Sequence, residues 1–229
     1  MSPFDKNSIY GMYNRTENYQ SDCSYISQIK AFKDNVSIKS CLSYTFSVSN
    51  SQGTSLIKDR PFTAEMTRSI MLLKEKHYRP RMADYRIGVF FTGREQLGEG
   101  AKTTAPVYYA NRWDIQPSDT AAYLRGEKVK PTKQIVFYID NTFPEKWKPY
   151  LREGVTQWNE LFEQIGFKDV VAAKDFPTDD PEFDPDNIKY SCVRYAPSSI
   201  ENAMGPSWVD PRSGEILNAS VYLLSLIHI

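Results

Sequence analysis

The clearest period-two pattern in the chain is VSIKSCLSYTFSV, where Val36, Ile38, Leu42, Tyr44, Phe46 and Val48 share one parity, interrupted by Ser40. Alternation of this kind predicts a half-buried β-strand. The SNSQGTS stretch after it is turn chemistry. MTRSIMLL (66–73), RIGVFFTG (86–93) and YYANRW (108–113) predict three more strands, with a loop over 94–106. Residues 1–25 are polar and Tyr-rich and show no sustained helical period. The first half therefore predicts a β-rich domain over 1–130 that ends in a polar linker, 114–130. No internal repeat is visible.

The pattern changes after Pro131. QIVFYID is a short continuous apolar run, as expected for a strand buried on both faces. Trp147, Tyr150, Leu151, Val155, Trp158, Leu161, Phe162 and Ile165 then recur at spacings of three and four, which predicts one long amphipathic helix. Pro144 and Pro149 suit its first turns and Gly166 its left-handed C-cap. DVVAAK (169–174) and YSCVRYA (190–196) predict two more strands, the first closing a strand–helix–strand unit. NAMGPSWV and EILNASVYLL flank DPRSG, which is turn chemistry, so they predict a hairpin. Pro206 cannot donate to a ladder, and its strand is expected at a sheet edge.

Composition narrows the function classes. The chain has 229 residues, is 41% hydrophobic and 14% aromatic, and carries zero formal net charge, so bulk charge implies no nucleic-acid or membrane partner. Charge is uneven, however. Residues 1–130 hold 19 Lys and Arg against 13 Asp and Glu, a net of +6, and residues 131–229 hold 9 against 15, a net of −6. That switch points to a boundary near Lys130–Pro131. Arg60, Arg68, Arg79, Arg81, Arg86 and Arg94 are scattered without a nucleic-acid module, so a solvated face or interdomain contact is the better reading. No run of apolar residues is long enough for a membrane span, and the first residues hold no signal-peptide core. Cys23, Cys41 and Cys192 form no CxxC pair; ordinary thiols are expected, with a Cys23–Cys41 bridge left open.

The order IVFYIDNTFPEKWKPYLREGVTQWNELFEQIGF, YSCVRYA, NAMGPSWVDPRSGEILNASVYL resembles the front of a zincin-type catalytic domain. It is most similar to the large secreted zinc-dependent metalloproteases of bacteria, whose catalytic domain is metzincin-like. The resemblance covers roughly residues 60–224. It implies an α+β fold: a β-rich N-terminal domain, then over 131–224 the N-terminal subdomain of a zincin, a mixed twisted sheet with a long helix and an edge hairpin. It also implies peptide-bond hydrolysis by a zinc-activated water, peptide or protein substrates, and an exported parent. In the family the next element is a helix with HExxHxxGxxH, and no such motif stands here. The tail LSLIHI departs from the family pattern and reads like a translated sequencing adaptor, so residues 225–229 are expected to be artefactual.

A catalytic zinc needs three protein ligands and an open position. The only histidines, His77 and His228, share no motif, so zinc is expected in the full-length parent and not on this chain, which is expected to be inactive. By the resemblance, the substrate would add as a strand along Ala203, Met204, Gly205, Pro206 and Ser207, with Gly205 allowing close backbone approach. Read from spacing alone, the same residues are an edge hairpin without ligand. The acidic loop Asp179, Asp180, Glu182, Asp184, Asp186 lacks the spacing of a calcium loop and is expected to be solvated. No GxSxG supports a serine nucleophile. The rival reading is a non-catalytic module whose Tyr-rich first half binds glycan or protein at a cell surface. A third reading makes that half a cover for the second.

Overall fold

Strands dominate the chain. A computed structural model describes residues 13–73, 75, 78–97, 104–197 and 203–223. It forms three sheets with a few short helices, and divides into two compact units, one ending at Leu72 and the other starting at Leu73.

The first unit is a three-stranded antiparallel sheet in the order β1 (Tyr13–Ala31), β2 (Asn35–Asn50), β3 (Ser55–Met71). The alternating residues of β2 do form a strand, and it is central. Of the polar stretch 1–25, residues 13–25 also lie in a strand, β1, which sequence periodicity missed, and residues 1–12 lie outside the described residues. Its pairing with β2 is interrupted by a bulge between Gln20 and Tyr25. There hydroxyls replace ladder bonds: the Ser43 amide donates to Ser24 Oγ at 3.0 Å, and Ser43 Oγ donates to the Cys23 carbonyl at 2.9 Å. A serine-rich segment can pair in this way without an apolar period. On one face Tyr19, Ile29 and Ile70 are grouped with Ile38, Leu42 and Phe62 by the register, whereas Tyr25 lies opposite Cys41 on the other face. The exposed Tyr19 and Tyr25 therefore make no single aromatic platform. Cys23 and Cys41 are free thiols, so the bridge left open by the sequence is not formed.

The second unit is built on a six-stranded mixed sheet. Its order is β10 (Ser207–Val209), β11 (Ile216–Leu223), β8 (Ser191–Tyr195), β6 (Ile135–Ile139), β7 (Val171–Asp175), with β9 (Ala203–Met204) also on β11. The three pairings β6–β7, β6–β8 and β8–β11 are parallel, and β9 and β10 run antiparallel to β11. A separate hairpin joins β4 (Phe91–Leu97) to β5 (Thr104–Ala110), so strand structure extends into the stretch expected to be a loop.

Residues 114–130 are not a free linker. They carry α1 (Thr120–Leu124), capped by Asp119, whose side chain accepts from the Ala122 amide at 2.9 Å. Backbone bonds tie Val129 to Gly166 and Lys168, and Ala122 and Val129 are buried with Ile135, Phe167, Val170 and Val171. The compact units divide some sixty residues before the change of charge sign at Lys130–Pro131, because charge reports surface composition and not backbone pairing.

The long helix expected over 144–165 is broken into a 3-10 turn (Glu145–Trp147), α2 (Lys148–Thr156) and α3 (Asn159–Gln164). Two side chains account for the break. Thr156 Oγ1 donates back to the Arg152 carbonyl at 2.8 Å, a bond that bends helices. Asn159 then docks on β7, donating to the Val171 carbonyl and accepting from the Val171 amide, both at 2.8 Å. Leu151 and Val155 consequently pack against Ile139, Phe143 and Val193, while Tyr150, Trp158, Leu161 and Ile165 of the same stripe are exposed.

Three outcomes follow from this packing. Asn159→Ala strips two bonds from the β7 backbone and is expected to cost about 1–3 kcal/mol in urea unfolding. Gly214 has φ of 78° and a Cβ there would lie 2.6 Å from the Ala110 carbonyl oxygen, so Gly214→Ala is expected to destabilise the second unit by about 1–3 kcal/mol. Cys192 is fully buried, and burial pushes its thiol from 9.0 up to about 12. Mass spectrometry after iodoacetamide treatment of the native protein should find exposed Cys23 modified and Cys192 intact. Because the raised value belongs to the folded state, Cys192 contributes nothing to pH dependence below pH 9.0, and its contribution to stability falls as pH rises toward about 12.

Candidate substrate-binding edge

The five residues singled out in the sequence lie on one border of the mixed sheet. Ala203 and Met204 pair with Leu223 and Tyr222, and Ser207 pairs with Ala219. Gly205 and Pro206 interrupt the two short strands, yet the Pro206 carbonyl still accepts from the Ser220 amide at 3.0 Å. Residues 203–207 are all exposed, so this border is open to solvent. Pro206 lies between β9 and β10 on the border of the sheet, where its missing N–H breaks no ladder bond. A Cβ at Gly205 would meet only Val221 Cγ2, at 3.9 Å, so internal packing does not demand glycine there.

The border is held rigid from behind. The turn from β10 to β11 is closed by the Asp210 amide donating to the Glu215 carbonyl at 2.8 Å, and by Gly214 in the left-handed region. The Asp210 carboxylate caps the same turn and takes three bonds from the Arg212 guanidinium, at 3.0, 3.3 and 2.7 Å. That guanidinium is correspondingly held above its usual range by the Asp210 hydrogen bond. Behind the border, Asn218 donates to the carbonyls of Ile188 and Tyr190 at 2.9 and 2.8 Å, and Ser191 Oγ accepts from the Ala219 amide at 3.1 Å.

The acidic loop ends beside this anchor, and its carboxylates serve as turn formers. The Glu182 amide donates to Asp180 and the Asp186 amide to Asp184. Phe183 packs beneath the loop against Phe176, Tyr138 and Tyr190, with ring centres 4.8–5.3 Å apart. Burial among these rings raises the Tyr138 phenol above its ordinary value. Arg194 spans from Asp186, at 3.7 Å, to the Tyr222 ring.

Among the described residues no group of three His, Cys, Asp or Glu is placed to hold a metal ion. His77, His228 and residues 225–229 lie outside the described residues. No helix among the described residues is long and apolar enough to cross a membrane.

Sequence reasoning did not single out a second feature of this unit. Arg79 and Arg81 belong to the arginine scatter noted above, and they line a cleft together with Arg112 and Trp113. The scatter was the available signal, but linear spacing gave no sign that Arg112 joins it. Backbone bonds bring these segments together: Arg81 bonds to Ala110, and Arg112 bonds to Gly214 and Ile216.

No curated protein and no solved structure matches the chain. A family model described as "Domain of unknown function (DUF5117)" matches residues 1–118, which takes in the first compact unit and the opening part of the second. That is just over half of the 229 residues, and the chain belongs to this family.

Proposed function

We propose that residues 131–224 are the upper scaffold of a zinc-dependent peptidase domain of zincin type, and that this scaffold presents an edge strand to an extended peptide substrate. The single observation that carries the reading is the exposed antiparallel border Ala203–Ser207 on a sheet whose other pairings are parallel. The edge of a sheet offers alternating N–H and C=O groups, and main-chain bonds to it give affinity with little demand on side-chain identity. Support also comes from the strand–helix–strand unit β6–α2–α3–β7 lying at the far side of the same sheet. The resemblance of YIDNTFPEKWKPY and NAMGPSWVDPRSGEILNA to secreted bacterial metalloproteases points the same way and suggests an exported protein.

Under this reading the chain's own residues bind and orient substrate. Hydrolysis itself belongs to a metal-holding element that the described residues do not supply, so no step of the reaction is assigned to them. The 229-residue chain is expected to bind no stoichiometric zinc by elemental analysis and to leave casein intact. One tightly held zinc per chain together with proteolysis contradicts the proposal. In hydrogen exchange, unfolded casein is expected to slow the amides of 203–207 relative to the free protein. Unchanged exchange there counts against the edge as a binding surface.

A further inference from the structure

We propose that the second unit holds a binding site for a carboxylate carried on an aromatic body, formed by Arg79, Arg81 and Arg112 beside Trp113. The site does not depend on the peptidase reading and uses none of the edge residues. A cleft of about 510 Å³ is lined by these four residues with Tyr78 and Asp114. A second cleft of about 520 Å³ shares Arg81, Arg112 and Trp113 and adds the apolar side chains of Tyr123, Phe162 and Ile165. Each has the volume of a small-molecule site. Together they set a cationic compartment directly against an aromatic one.

Three observations point to an anionic ligand. First, Arg79, Arg81 and Arg112 have no ion pair with any described residue. Other arginines of the unit are matched: Arg86 with Asp84, Arg152 with Asp175 and Arg212 with Asp210, at 2.6–2.7 Å. Second, the backbone carrying the guanidinium groups is fixed. The Arg81 carbonyl accepts from the Ala110 amide at 2.8 Å, and Arg112 bonds to Gly214 and Ile216 at 2.9 and 2.7 Å. Third, the Tyr78 hydroxyl is buried and lacks a hydrogen-bond partner among the described residues. A buried, unpaired hydroxyl is costly, and a ligand oxygen whose entry opens the wall at Tyr78 would give it an acceptor. Burial also raises the Tyr78 phenol above its ordinary value, against the opposing pull of Arg112, so the hydroxyl keeps its proton and can donate.

A guanidinium fork suits both carboxylate and phosphate. Asp114 decides between them. Asp114 lines the same cleft, and its negative charge opposes a dianionic phosphate monoester more than a monoanionic carboxylate. The aromatic compartment then selects a ring on the ligand, with Trp113 at the junction of the two clefts.

The indole N–H resonance of Trp113, assigned with a Trp113→Phe variant, reports occupancy in a titration of the full chain. N-acetyl-L-phenylalanine is expected to shift it. N-acetyl-L-phenylalaninamide, which lacks the charge, is expected to bind about tenfold more weakly, as is the acid to Arg81→Gln or Arg112→Gln. Both arginines are exposed, and an otherwise unchanged spectrum checks that each variant is folded. A short peptide ending in free phenylalanine separates the two sources of this chemistry: tighter binding than the small acid assigns a peptide C-terminus, and equal or weaker binding assigns a free acid. Equal affinity for the amide, tighter binding of phenyl phosphate, undiminished binding by both arginine variants, or no shift of the Trp113 indole with excess acid each overturns the proposal.

Discussion

The second unit depends on the double pairing of one strand, β11. On one side Ser220–Leu223 run parallel to β8, and on the other Ala219 and Asn218 pair antiparallel with Ser207 and Trp208. Asn218, Ala219 and Ser220 are buried at this junction, so polar side chains there must find partners inside the protein. Asn218 finds them in two carbonyls before β8, and Ser191 reaches back to β11. Switching from parallel to antiparallel neighbours leaves the short β9–β10 border as the outermost rail of this sheet among the described residues.

The same logic explains how acidic residues are used nearby. Asp180, Asp184 and Asp210 each accept a backbone amide two residues on, and Asp210 also binds Arg212. A carboxylate fixed this way closes a turn and is satisfied locally. The arginines of the Arg79–Arg81–Arg112 cleft contrast with this arrangement, since no carboxylate among the described residues neutralises them by an ion pair. The unit thus combines carboxylates committed to structure with guanidinium groups that remain available.

Much of the second unit was legible in sequence because its signals are local. QIVFYID is a short apolar run, DVVAAK and YSCVRYA read as strands beside it, and each holds one: Ile135–Ile139, Val171–Asp175 and Ser191–Tyr195. Asp-Pro and Ser-Gly marked the β10–β11 turn, and Pro206 marked the edge. The helix read as continuous failed at Thr156 and Asn159, whose bonds to backbone are invisible in an apolar stripe. Strand β1 was hidden for a related reason: its serines pair through hydroxyls and leave no period of two. The division at Leu72–Leu73 and the docking of 114–130 arise from long-range backbone pairing that neither charge nor proline content reports. For the candidate edge, position on the sheet was legible. The arginine cleft was not, because Arg81 and Arg112 meet through bonds made by Ala110 and Gly214.

The most direct test is an NMR search for intermolecular contacts between an isotope-labelled chain and an unlabelled extended peptide. The account predicts regular cross-strand contacts from peptide α-protons to the backbone of Met204, Gly205 and Ser207. Peptide contacts confined to the opposite border at β7, or no backbone contacts at all, would contradict it.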